Sequence, residues 1–266
     1  MQAQLIYCPA SLWSLGVRMF RTRDREKCVA LWVKYYAGRK FHDSLYRDMI
    51  RKHVRPGQRV FDAGCGRSMT FCKEFPDATM VIGADLEKNL QTSNTTLPFG
   101  VTADLGRLPF RSAYFDLLIC RSVVEHLQNP SQVFREFNRV LVNGGKVILI
   151  TPNKYDYVSL LAACTPYWFH RYIVNRIFQV SADDVFPTLY RANTIAALRT
   201  ALKSAGFKEL EMRSINHYPA YLMFSPMLFR LGILYERLTS LEILKALRGS
   251  LLCAFQKVPS ADLQQG

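Results

Sequence analysis

The stretch RVFDAGCGRSMTFC (Arg59–Cys72) constrains the fold most: a short apolar run breaks at two glycines and leads into a helix-like segment. A strand that ends in a glycine turn before a helix is how α/β domains bring backbone close to a nucleotide. The alternation continues along the chain. "TMVIGAD" (79–85), "FGVTAD" (99–104), "FDLLIC" (115–120) and "KVILITP" (146–152) read as further strands, with helices near 68–75 and 131–141. "NGG" (143–145) reads as the stop of the second helix. Strands rich in Val, Ile and Leu, separated by helices, predict a mostly parallel sheet covered on both faces.

The flanks are less regular. Apolar residues at helical spacing (Val29, Trp32, Val33, Tyr36, then Leu45, Met49, Ile50) predict two helices within residues 24–53. After Pro152 comes a dense aromatic set that includes Tyr155, Tyr157, Trp168, Phe178 and Tyr190. Helical periodicity returns at 193–205 with Asn193 as a cap, "FKELEMRSI" (207–215) alternates like a strand, and "SLLCAFQKV" (250–258) reads as the last strand. The expected organisation is a helical region at 1–58 over the ligand cleft, a nucleotide-type core at 59–152 and an aromatic cap insert at 153–190. A core helix and strand follow at 191–215, then a second helical insert at 216–248 and a final strand with tail at 249–266. "YPAYLMFSPMLFRLGILY" (218–235) reaches the length of a membrane span, but Pro219, Pro226 and Arg230 interrupt it. It reads as a cap helix and leaves peripheral membrane contact open.

Of the 266 residues 49 % are hydrophobic, ample for a packed core. The seven cysteines form no CxxC pair and no metal-like cluster, so buried free thiols in a reducing compartment are expected, and no metal. The N-terminus lacks a basic stretch ahead of an apolar core, which predicts no secretory leader and a cytoplasmic protein. The net charge of +14 is concentrated in residues 1–59, where 13 Lys/Arg face 4 Asp/Glu. Those cations are interleaved with acids, as on a solvated helix surface. A face for nucleic acid or anionic lipid is the other reading, and no nucleic-acid motif accompanies it.

A dinucleotide turn needs a third glycine, but Met69 stands there; the spacing after Gly64 and Gly66 is otherwise right. Asp62, two residues before Gly64, weighs more. A carboxylate at the strand end repels a pyrophosphate and favours a ligand with a cationic ammonium and sulfonium, as in S-adenosylmethionine. Asp85 closes the second strand 19 residues after Gly66, where a carboxylate can accept hydrogen bonds from ribose hydroxyls.

"VFDAGCG" (60–66), "GADLE" (83–87), "TADLGRLPFRSAYFDLLICRSVVEHL" (102–127) and "REFNRVLVNGGKVILITPN" (135–153) resemble the successive motifs of class I S-adenosylmethionine-dependent methyltransferases. The nearest subgroup is that of the ubiquinone/menaquinone-biosynthesis and small-molecule enzymes. The resemblance implies a Rossmann-like, mostly parallel seven-stranded sheet with helices on both faces and an inserted, mostly helical cap. It also implies roles. Gly64 and Gly66 let the backbone approach the methionine moiety, and Asp62 orders the turn and attracts the amino group. Asp85 binds the ribose, Leu86 packs on the adenine, Asp104 and Leu105 meet the adenine edge, and Arg121 passes under the methionine part. Asp104 also reads as a helix cap, and Arg67 either pairs with the methionine carboxylate or points to solvent.

For the acceptor, aromatic and Met-rich inserts either form the cap's own core or wall an apolar pocket. The pocket reading predicts a hydrophobic or aromatic small molecule methylated at oxygen, with N- or C-methylation and a nucleic-acid or protein substrate as alternatives. After the fourth strand stands "CRSV", unlike the N/D-P-P-Y/F tetrapeptide of amino-group nucleic-acid methyltransferases. An oxygen acceptor benefits from a base. His126 in "VVEHL" is the first candidate, ahead of His170, His217 and Asp156. A cofactor-binding protein without catalysis and a nicotinamide-dependent reductase are the remaining classes; intact cofactor motifs argue against the first, Asp62 and Met69 against the second.

Overall fold

The computed structural model describes residues 22–66, 75, 80–86, 99–164 and 187–259. Its centre is a seven-stranded sheet of order β3-β2-β1-β4-β5-β7-β6. The strands are β1 (Arg59–Ala63), β2 (Met80–Asp85), β3 (Phe99–Thr102), β4 (Phe115–Arg121), β5 (Leu141–Pro152), β6 (Phe207–Ile215) and β7 (Ser250–Lys257). The first five pair in parallel, and β7 lies antiparallel between β5 and β6. The order reverses between β1 and β4, which opens a crevice at the carboxyl ends of those strands.

Period-two alternation explains why both faces are dry. In β4, Leu117 and Ile119 join one apolar layer, and Leu118 and Cys120 the other. The first layer packs against Tyr46, Met49 and Ile50 of helix α2 (His42–His53), after α1 (Thr22–Tyr36). The second packs against Val133, Phe134 and Phe137 of α3 (Pro130–Val140) and Leu198 and Leu202 of α5 (Ile195–Ser204). Between them in sequence lies α4 (Tyr157–Cys164), and α6 (Pro226–Thr239) follows β6. A third cluster joins α1 to α6 through Trp32, Tyr36, Phe229 and Ile233. A two-pronged contact from Arg39 to the buried Glu236 (2.7 and 3.3 Å) reinforces that junction.

Two sequence expectations are corrected. The Asn143-Gly144-Gly145 segment does not stop α3, which ends at Val140; it forms an irregularity within β5, where Phe115 pairs with Leu141 but Leu117 with Lys146. Gly144 has φ +76°, and a side chain at Gly145 would meet the Val142 carbonyl at 2.8 Å, so the bulge requires the glycines. The cap of α5 is Thr194, whose side chain accepts from the Ala197 N–H, rather than Asn193. Asn193 is buried and donates instead to Thr151 Oγ1 (2.6 Å) and the Pro152 carbonyl (3.0 Å). The described cysteines Cys28, Cys65, Cys120 and Cys253 are free and buried. The helix expected near 68–75 and the larger part of the aromatic insert lie outside the described residues.

Candidate active site

The turn after β1 is built by close approach. Gly64 has φ +79°, and a Cβ there would lie 2.1 Å from Val123 Cγ2, so only glycine lets the chain pass the end of β4. The Gly64 N–H donates to the Ala84 carbonyl (2.8 Å), tying the turn to β2. The Gly66 N–H donates to Asp85 Oδ2 (2.8 Å). Gly66, with φ +56°, has no described atom within 4 Å of the position a Cβ would take. Asp85 therefore shapes the cradle as well as facing it. Asp62 is buried beside this turn. Burial, and then the nearby Asp85 carboxylate, push its carboxyl up to about 7 against the opposing pull of Arg121.

The other residues that the resemblance assigns to the cofactor sit as follows. Leu86 projects from the end of β2 and is 67 % exposed. Asp104 is exposed, and its Oδ1 accepts from the Gly106 N–H (2.8 Å); it shapes a turn and no helix follows it, which corrects the helix-cap reading. Leu105 is buried in the sheet-and-α3 core, so only its backbone is left for an adenine edge. Arg121 Nη2 lies 3.0 Å from Asp43 Oδ1, joining β4 to the first turn of α2. Arg67 lies outside the described residues.

The residues present suit S-adenosylmethionine. A glycine at positive φ has no described atom against its Cβ position, and two neighbouring carboxylates offer a cationic ligand what they would deny a pyrophosphate. Asp85→Ala strips the Gly66 N–H of its acceptor. An unpaired donor costs about 1–3 kcal/mol, so calorimetry is expected to read a roughly ten- to hundredfold weaker S-adenosylmethionine Kd. Asp85→Asn keeps an acceptor oxygen and should recover much of the loss; recovery would separate turn shaping from charge.

Next to this crevice, at the carboxyl ends of β4 and β5, lies a cavity of about 320 Å³. Tyr157, Tyr190, Tyr218 and Tyr221 supply its aromatic walls, and Asp156, His42, His217 and Ser250 its polar groups. Two wall residues, Ser122 (φ +53°) and Tyr190 (φ +50°), hold left-handed backbone conformations, a strain that clusters at functional sites. A buried chain of hydrogen bonds holds the floor: Asn193 Nδ2 donates to Thr151 Oγ1, which donates to Glu125 Oε2 (2.9 Å). The Glu125 carbonyl in turn accepts from the Leu189 and Tyr190 N–H groups.

Asp156 is buried at the start of α4 and accepts from the Val158 N–H (3.1 Å); burial pushes its carboxyl up to about 6. His217 lies with Nε2 3.1 Å from Ser250 Oγ and its ring edge-on to His42 at 5.1 Å. Burial, and then His42, push His217 down to about 4, so the imidazole is neutral at neutral pH. A side chain at Gly249 would strike His217 Cδ2 at 1.9 Å, so a glycine is needed for that ring to seat.

The base expected from sequence is placed elsewhere. His126 sits in a 3-10 turn (Val124–His126), its Nδ1 donating to the Pro187 carbonyl (2.9 Å), and it is not among the residues lining the cavity. His217 and Asp156, ranked below it, do line the cavity, whereas His170 lies outside the described residues. His42 and Ser250 gave no sequence signal. Each is an ordinary residue type at an element's edge, and only the sheet's geometry brings them together.

Sheet order and glycine turn define the class of fold: that of the class I S-adenosylmethionine-dependent methyltransferases. Residues 61–149 match the sequence family described as a methyltransferase domain, and the chain carries such a domain. An uncharacterised protein of Methanocaldococcus jannaschii is 32 % identical over 36 % of this chain and 41 % of its own length. This chain spans 41 to 57 % of the length of that protein and two further relatives from the same organism. The ubiquinone/menaquinone biosynthesis C-methyltransferase of Edwardsiella ictaluri is 27 % identical over 58 % of this chain and 68 % of its own. In fold, the S-adenosylmethionine-dependent methyltransferase of Mesorhizobium loti superposes with a TM-score of 0.51 at 17 % identity, covering 79 % of this chain and 96 % of that one.

Proposed function

We propose that this chain transfers the methyl group of S-adenosylmethionine to a hydroxyl oxygen of a hydrophobic or aromatic small molecule held in the cavity beside the glycine turn. The observation that carries the reading is the cavity itself. It abuts the ends of β4 and β5, has a volume in the range of small-molecule sites, and combines four tyrosines with a buried carboxyl.

The bound cofactor supplies an electrophilic methyl carried on a sulfonium. The chain's part is to hold both reactants in line and to take up the acceptor's proton. Asp62, the Gly66 backbone and Asp85 hold the cofactor side. The tyrosines wall the acceptor, and Ser250 Oγ, 3.1 Å from Nε2 of neutral His217, is placed to anchor a hydroxyl. Asp156 is the base: a carboxyl raised to about 6 is ionised at neutral pH yet basic enough to share a hydroxyl proton.

The likeness to a C-methyltransferase of quinone biosynthesis favours a second reading, transfer to an activated ring carbon. One experiment addresses both. The protein is titrated with S-adenosylmethionine and NADH by calorimetry, then given methyl-labelled cofactor and a panel of phenols and quinols. Binding of S-adenosylmethionine alone with label on phenolic oxygen supports the proposal, label on ring carbon supports the second reading, and no cofactor binding overturns both.

A further inference from the structure

Helix α6 turns one face inward and leaves the opposite face bare. Phe229, Ile233 and Glu236 are buried, whereas Met227, Leu231, Leu234, Leu238 and, just past the helix, Leu241 are exposed by 48 to 66 %. At 3.6 residues per turn those five side chains fall in one narrow stripe opposite the buried face. A contiguous exposed apolar stripe marks a contact surface.

Its border is cationic. Arg230 and Arg237 are exposed and flank one edge of the stripe. The Arg237 guanidinium lies 4.7 Å from the centre of the Tyr35 ring, and the Lys34 ammonium 5.3 Å from the same centre, so α1 adds a charge to that edge. The exposed acid beyond the helix, Glu242, is already paired with Arg248 (2.7 Å) and Lys245 (3.6 Å). At the start of α6 the apolar surface continues towards the cavity. Tyr221 lines the cavity and is 47 % exposed, and Phe224, three residues further on, is exposed as well.

We propose that this face of α6 lies flat on an anionic lipid bilayer. An apolar stripe with a cationic border is the pattern of an interfacial helix. A second copy is a poorer occupant: an antiparallel pair of copies would set the two cationic edges against each other, on chains that each carry +14. α6 has 14 residues, too few to cross a bilayer, so contact here is lateral.

The test is co-sedimentation of the whole chain with phosphatidylcholine vesicles, with and without phosphatidylglycerol, for wild type and Leu231→Glu/Leu234→Glu. Both leucines are exposed, so the fold should persist, checked by circular dichroism. The expected result is pelleting with phosphatidylglycerol vesicles that weakens with added salt and falls at least about tenfold in the double variant. Wild type that stays in solution with both vesicle types overturns the proposal. So does equal binding by the variant, or a self-associated wild type that the two substitutions dissociate without any vesicle effect. Vesicle binding needs neither cofactor nor acceptor, so its failure is separate from a failure of methyl transfer.

Discussion

At saturating cofactor, Asp156→Asn is expected to slow methyl transfer to a hydroxyl acceptor by about 10²–10⁴-fold and to leave the S-adenosylmethionine Kd unchanged. The amide keeps an oxygen to accept from the Val158 N–H, so α4 still begins where it does and the cavity keeps its shape. What it loses is a proton acceptor. The pH profile distinguishes this from a packing effect. The Asp156 carboxyl is raised by burial to about 6, so it is protonated and idle below that value and ionised above it. Wild-type kcat should therefore climb through about pH 6 and flatten, and the Asn variant should lack that limb. A limb that persists in the variant, or an unchanged rate, would sink the assignment and turn attention to the Ser250–His217 pair.

The sheet was legible in the sequence because its strands are buried on both faces, and that burial demands uninterrupted Val, Ile and Leu. The cofactor turn was legible for a related reason. Gly64 and Gly66 must adopt positive φ, and Asp62 and Asp85 sit at strand ends fixed by the βαβ spacing, so composition and position speak together. The acceptor side was legible only in part: the aromatic insert, His217 and Asp156 stood out as candidates, whereas His42 and Ser250 did not. Tyr157, Tyr190 and Ser250 come from separate segments, and nothing local distinguishes them from core aromatics or capping polar residues. His126 looked catalytic because it follows β4, yet the turn after that strand aims its ring at the Pro187 carbonyl. Asn143-Gly144-Gly145 had the composition of a helix stop, and the same permissive backbone serves a bulge. The apolar stretch 218–235 read as a cap helix with membrane contact left open; which face of it finds a partner is a tertiary fact that periodicity does not carry.

Cofactor binding is expected to take its pH dependence from Asp62. Its carboxyl titrates near 7 because it is buried and shares its surroundings with Asp85, so below that pH the cofactor-free protein holds a proton there. A ligand bringing an ammonium and a sulfonium favours the ionised form, and binding must expel the proton. Affinity should therefore fall about tenfold per unit as pH drops below about 7 and level off above it, with a proton release visible as a buffer-dependent heat in calorimetry. The sign for stability is opposite. Because the folded value is raised above the unfolded one, Asp62 contributes stability that is fully present at low pH and is lost as pH rises through about 7, so the cofactor-free Tm should decline across that window. Asp62→Asn removes both effects: the Tm no longer declines there, affinity loses its slope, and binding above pH 7 weakens at least about a hundredfold for want of the buried counter-charge. A variant that binds as tightly as wild type, without proton release in either, would mean that the charge beside the glycine turn serves the fold and not the ligand.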